Sequence, residues 1–237
     1  MTAHLVPNTG QIPDDQLLLQ ARGVTKRFGG LLAVNSVDFD IPTGAIVSLI
    51  GPNGAGKTTF FNMITGAYTP TAGVINLAGA QIAGPIRGRM RSLRPHDVTA
   101  RGVGRTFQNI RLFGTMSALD NVLVGLNVRL KTRWWASALR TPSMVREEVE
   151  AHDRGMELLR LVGLEERSET WARNLPYGDQ RRLEIARALA TEPKILLLDE
   201  PTAGMNNSET RDLTDFIQRL RAELGMTVLL IEHDMRV

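Results

Sequence analysis

The segment Gly51-Pro52-Asn53-Gly54-Ala55-Gly56-Lys57-Thr58 restricts this chain more than any other stretch. Ala45 to Ile50, just before it, is a continuous apolar run of strand length and reads as a strand buried on both faces. Thr58 to Thr65, just after it, reads as a helix capped by Gly66. Strand, glycine-rich loop and helix in this order form a nest of backbone N–H groups. The glycines let those groups curl around a phosphate with no Cβ in the way. The helix start near Lys57 points its positive end at the same anion.

The spacing matches the P-loop pattern in full. In that pattern Lys57 places a point charge on the β and γ phosphates, and the Thr58 hydroxyl ligates Mg²⁺. Pro52, Asn53, Ala55 and Thr59 complete the expected nucleotide contacts. A second apolar run, Leu196-Leu197-Leu198, ends in Asp199-Glu200. Such a strand delivers Asp199 to the carboxyl edge of a sheet, where it can hold Mg²⁺ through water. Glu200 follows and can polarise an attacking water as general base. An Asp-Glu pair after a strand also serves as a helix cap. The P-loop upstream favours the catalytic reading.

The rest of the chain fits one α/β domain. With 237 residues, 43% of them hydrophobic, it can fill one core, or one core and a subdomain. A net charge of +3 gives a weak bias toward anionic partners and is too small for a nucleic-acid binder. The absence of cysteine excludes disulfides. Met1 to Gln20 has no apolar stretch of the kind a signal peptide needs, and residues 1–16 read as a polar tail. The longest apolar runs, Ile195–Leu198 and Val228–Ile231, fall far below the ~18 residues of a membrane span. Any membrane role is therefore expected to be peripheral.

Strands are expected at Leu17–Val24 and Ala33–Ile41, around a Gly29-Gly30 turn, and again at Gly73–Leu77. Pro85 to Arg101 reads as a basic, solvated loop. Ser117 to Leu164 reads as helical, with Val145, Val149, Met156, Leu159 and Val162 on one face of its last helix. Trp134-Trp135 reads as a packing pair. A helix is expected from Gly178 to about Thr191, and another from Glu209 to Leu224, capped by Ser208 and ended by Gly225. Thr227–Glu232 is a third buried-type strand. Apolar strands alternating with helices imply a mainly parallel sheet interrupted by a helical insertion.

Asn174-Leu175-Pro176-Tyr177-Gly178-Asp179-Gln180-Arg181-Arg182, running on to Leu189, resembles the signature sequence and helix of the ATP-binding cassette (ABC) family. Ala203-Gly204-Met205-Asn206 resembles its D-loop, His233 its switch histidine, and Gln108 its Q-loop glutamine. Phe28 stands where that family places the aromatic that stacks on adenine. The resemblance runs from Leu17 to Val237. It implies a P-loop NTPase fold with a RecA-like core, an N-terminal antiparallel β subdomain and an inserted helical subdomain at about 109–184. The wording at Lys26–Gly30, Arg105–Phe113, Tyr177-Gly178 and Ile231–Met235 is similar to the ATPases of branched-chain amino-acid importers. Urea and amide importers and lipid exporters have related cassettes.

The resemblance implies a dimer, with two identical or two different cassettes facing head to tail around two ATP molecules. Each ATP would lie on one P-loop and under Leu175, Pro176, Tyr177, Gly178 and Asp179 of the other copy. Glu200, His233 and Gln108 would be catalytic, and Thr58, Gln108 and Asp199 would hold Mg²⁺. Transmembrane permease subunits would dock near Arg111, Leu112 and Phe113, with a substrate-binding protein acting through them. The chain would sit on the cytoplasmic face of a bacterial inner membrane. A soluble cassette acting on ribosomes or DNA fits less well, because there is one P-loop and a short 117–176 insertion. A P-loop kinase gives no reason for the signature, Gln108 or His233. Two positions depart from the usual signature. Pro176 replaces serine and suits a helix start. Asp179 replaces glutamine and is expected to point away from the phosphates. The chain also stops four residues after His233, where the family usually continues. It therefore reads as shortened, with an uncovered sheet edge.

Overall fold

The computed structural model describes residues 16–127 and 142–232. The tail up to residue 15, Trp134-Trp135 and His233 lie outside the described residues. The elements run β1 (Leu17–Phe28), β2 (Leu31–Pro42), β3 (Ile46–Ile50), α1 (Lys57–Ile64), β4 (Ala72–Leu77), β5 (Ala80–Ile86), β6 (Arg89–Ser92), α2 (Pro95–Ala100) and β7 (Val103–Arg105). There follow α3 (Ala118–Leu126), α4 (Pro142–Leu161), α5 (Tyr177–Leu189), β8 (Ile195–Asp199), α6 (Asn207–Leu224) and β9 (Thr227–Glu232). The chain divides into two compact units, one of residues up to Gln108 together with those from Lys194, the other Asn109–Pro193.

The first unit holds both sheets. One is antiparallel, in the order β2-β1-β4-β5-β6, and the other is parallel, in the order β3-β9-β8-β7. Every residue of β8 and β9 is buried, which is why both read as unbroken apolar runs rather than alternating ones. Leu19, Phe39, Phe60, Phe61, Leu197 and Ile231 belong to one hydrophobic cluster that joins the two sheets through α1. Within it the Phe39 and Phe60 rings meet edge to face, 5.5 Å between centroids. In register, Ile50 stands beside Glu232, and Asp199 beside Ile231. The P-loop and the Asp199-Glu200 pair therefore leave the same carboxyl edge of the parallel sheet.

Several sequence expectations are corrected here. Pro85–Arg101 is not a loop: it holds the end of β5, all of β6 and α2. β6 pairs on one side only, so its alternating arginines leave no apolar pattern to read. Pro95 opens α2 with Asp97 in its first turn. The three-residue β7 is too short to carry a periodicity. The cap of α6 is Asn206 rather than Ser208. Its Oδ1 accepts from the N–H groups of Ser208 (2.9 Å) and Glu209 (3.0 Å), while Glu209 accepts from the Asn206 N–H. β9 lies between β3 and β8, and the edges of the parallel sheet among the described residues are β3 and β7.

The second unit is helical. Ser117 and Asp120 form a capping box at the start of α3. Gly125 lets α3 approach α5, because a Cβ there would stand 2.4 Å from the Arg187 carbonyl oxygen. Leu158 and Leu159 bury the end of α4, as Val162 does just past it, whereas Val145 and Val149 are exposed. The expected apolar face is thus buried only toward the C-terminal end, past Gly155, whose position meets Leu119 and Leu123 of α3. Asn121, wholly buried, closes the 113–117 turn. It accepts from the Phe113 N–H (2.9 Å) and donates to the carbonyls of Phe113 (3.1 Å) and Ser117 (2.9 Å). Arg181 and Glu184 form a buried ion pair of 2.9 Å, and Glu184 also accepts from the Arg111 N–H at 3.3 Å.

Candidate active site

Residues 51–56 form the turn that joins β3 to α1. Gly56 is the N-cap of α1 at φ 87°, and a Cβ there would lie 2.3 Å from the Ala33 carbonyl oxygen. No other residue fits, so the loop backbone lies directly on β2. Pro52, Asn53, Gly54 and Thr58 are exposed, whereas Lys57 is buried. Its Nζ donates to the carbonyls of Gly51 (2.5 Å) and Pro52 (3.0 Å). The ammonium is thereby held inside the turn, beside the first N–H groups of α1, which have no acceptor within the helix. Charge and helix dipole together make this an anion site.

Asp199 ends β8 at 3% exposure. Arg105 Nη2 lies 3.3 Å from its Oδ2. Glu200 follows at φ 48°, a conformation that costs a non-glycine residue about 1–3 kcal/mol and that gathers at functional sites. Its N–H donates to the Ile231 carbonyl at 3.0 Å, which ties the turn to β9. The Gln108 Nε2 donates to Glu200 Oε2 at 2.7 Å. Glu232, the last residue of β9, is buried and accepts from the Thr202 hydroxyl at 3.3 Å.

Phe28 ends β1 and is 40% exposed, so it is not a core residue. Tyr68 meets its ring edge-on at 5.3 Å, and the Lys26 ammonium stands 4.9 Å from the ring centre. Lys26 is itself fixed by donating to the Thr69 carbonyl at 2.7 Å.

In the helical unit, Pro176 is the N-cap of α5 rather than its first helical residue. The helix opens at Tyr177, which is exposed, followed by the half-buried Gly178. Asp179 pairs with Arg167. Gln180 folds back onto the Leu175 carbonyl at 2.8 Å. Arg111 and Phe113 are exposed, and the Arg187 guanidinium lies 5.7 Å from the centre of the Phe113 ring. Burial lowers the Arg187 pKa from its ordinary value, against an opposing pull from Glu184.

The structure thus gathers the P-loop, Asp199, Glu200 and Gln108 at one sheet edge of one unit. It places Leu175–Asp179 on the other unit. Arg105 and the Thr202–Glu232 pair were not singled out from sequence. A charged residue within the buried strand before Gln108 was the available signal for Arg105.

The model of the ABC transporter family matches residues 34–203. The branched-chain amino acid transport ATP-binding protein BraF of Pseudomonas aeruginosa is 49% identical over 220 residues, 93% of this chain and 83% of that protein. Its counterpart LivG of Escherichia coli is 49% identical over 222 residues, 94% of this chain and 84% of that protein. Among solved structures, the dimeric post-hydrolysis ATP-binding cassette MJ0796 with ADP and Pi superposes with a TM-score of 0.70 at 28% identity, over 92% of this chain and 88% of that one. With the phosphate nest, the two sheets and the helical unit in place, this chain belongs to the ABC transporter family, as one of its nucleotide-binding ATPases.

Proposed function

We propose that this chain is the ATP-hydrolysing subunit of a branched-chain amino-acid importer. The likeness of 49% to BraF and LivG over nearly the whole chain carries the cargo assignment, since the residues that touch cargo lie on other subunits. No described helix is long and apolar enough to cross a membrane. As the ATP-binding subunit of a transport system, like BraF and LivG, the chain would act peripherally, on the cytoplasmic face of a bacterial inner membrane, beneath permease subunits.

In this reading Phe28 stacks on adenine, and residues Gly51 to Thr59 wrap the phosphates. Lys57 turns its ammonium from the loop carbonyls toward the β and γ oxygens. Thr58, Asp199 and Gln108 offer the hard oxygen donors that suit Mg²⁺. Among the described residues no cluster of three His, Cys, Asp or Glu could hold a metal alone, which fits an ion shared with nucleotide phosphates and water. Bound Mg²⁺ supplies neutralisation of phosphate charge. Glu200 accepts the proton of the attacking water, and Gln108, the last residue of the sheet-bearing unit before the helical one, fixes its carboxylate. His233 would steady the γ-phosphate.

A second copy completes the site. The start of its α5, at Leu175 to Asp179, would offer backbone donors to the γ-phosphate across the interface. The dimeric MJ0796 cassette supports the pairing of two copies. Arg167 draws Asp179 aside, which removes the repulsion a carboxylate would exert there. Residues of about 109–184 would act as the helical subdomain, with the surface near Arg111, Leu112 and Phe113 receiving the permease.

The test is uptake in a cell whose own copy of this gene has been deleted. Loss of labelled leucine uptake, restored by the chain and not by its Glu200→Gln variant, is expected. Intact leucine uptake with loss of urea uptake would move the assignment to a related importer.

A further inference from the structure

We propose that Arg105 is a positioning residue of the nucleotide–metal site, locking the Asp199 carboxylate to the P-loop helix. The proposal rests on the reading of Asp199 as a metal-holding residue. One guanidinium joins three parts of the site. Its Nη1 donates to Asn62 Oδ1 at 2.7 Å and to Thr65 Oγ1 at 3.3 Å, both on the α1 segment that Lys57 opens. Its Nη2 reaches Asp199 Oδ2 at 3.3 Å. Its plane lies near the rings of Phe61 (5.9 Å) and Phe107 (5.3 Å), the latter next to Gln108.

Arg105 is well covered, with a side chain 15% exposed against 4% for Asp199. An ion pair this deep is screened little by salt, and its geometry is set by packing rather than by solvent. The planar fork suits the task. It can hold Asn62 with one nitrogen and Asp199 with the other, which a lysine cannot do. A cation bonded behind a metal-binding carboxylate orients it, and loss of such a partner typically costs about tenfold to a hundredfold in metal affinity. The anchor on α1 also sets where Asp199 stands relative to the phosphates that Lys57 and Thr58 would hold.

The experiment measures Mn²⁺ bound together with ATP by electron paramagnetic resonance, alongside ATP binding in EDTA, in the full chain. In Arg105→Gln, Mn²⁺ affinity is expected to fall at least about tenfold, with metal-free ATP affinity within about twofold of the parent. Arg105→Lys keeps the charge without the fork and is expected to fall between. Asn62→Ser leaves the guanidinium in place but removes its 2.7 Å anchor, and it should shift metal affinity the same way by a smaller factor. That variant carries the test if Arg105→Gln does not fold. Asp199→Asn serves as reference. Weakened metal binding in Asp199→Asn with parental binding in the Arg105 and Asn62 variants overturns the role of Arg105 alone. Parental binding in Asp199→Asn overturns the metal role of Asp199 and this proposal with it. Raised metal affinity in Arg105→Gln would make Arg105 a competing cation and overturns the proposal. An equal loss of metal-free and metal-dependent ATP binding would make it a general brace and does the same.

Discussion

The amide of Gln108 donates to the carboxylate of Glu200 at 2.7 Å. The bond joins the last residue of the sheet-bearing unit before the helical unit to the residue that follows Asp199. If Glu200 is the base, Glu200→Gln should keep ATP binding within about threefold and lower turnover by about a hundredfold or more. Gln108→Ala removes the fixing bond and leaves the base, so turnover should fall by a smaller factor. Steady-state hydrolysis and equilibrium ATP binding separate the two effects.

Lys57 is 5% exposed and held by two carbonyls of its own loop. A charge-assisted bond to phosphate is worth about 1.5–3 kcal/mol. Lys57→Ala should therefore weaken ATP binding by about tenfold to a hundredfold, measured by calorimetry, while AMP, which lacks the β and γ phosphates, binds both proteins alike.

Arg181 and Glu184 are almost completely buried, at 0% and 1% side-chain exposure. Arg181→Met leaves a carboxylate in the interior without its guanidinium. The expected cost is about 3–5 kcal/mol in denaturant unfolding. Changing both residues to Met and Leu should recover most of that loss, because no uncompensated charge remains.

At Gly125 the α3 backbone touches the Arg187 carbonyl of α5. Gly125→Ala must push the helices apart, at about 1–3 kcal/mol despite the better helix propensity of alanine. A melting temperature equal to the parent's would contradict this packing.

The buried strands, the P-loop and Asp199-Glu200 were legible in sequence because each imposes a local pattern. β8 and β9 are apolar at nearly every position, and the glycine spacing of residues 51–56 has few other uses. β6 was not legible, since an edge strand with exposed arginines has neither period nor apolar content. Val145 and Val149 misled, because a helical stripe in sequence does not say how far along its length another helix reaches. The cap at Asn206 was missed because its evidence lies in Glu209, three residues on. Arg105 was hidden for a tertiary reason. Its partners Asn62, Thr65 and Asp199 are distant in sequence, and only the meeting of α1, β7 and β8 makes one site of them.

The central claim is that the Lys57 loop of one copy faces the α5 start of another across ATP. The chain has no cysteine, so Asn53→Cys and Tyr177→Cys, combined with Glu200→Gln, place the only two thiols. Disulfide crosslinking should give a covalent dimer with ATP and Mg²⁺, and little without nucleotide or with ADP. An equal yield under all three conditions, or none with ATP, would contradict the claim.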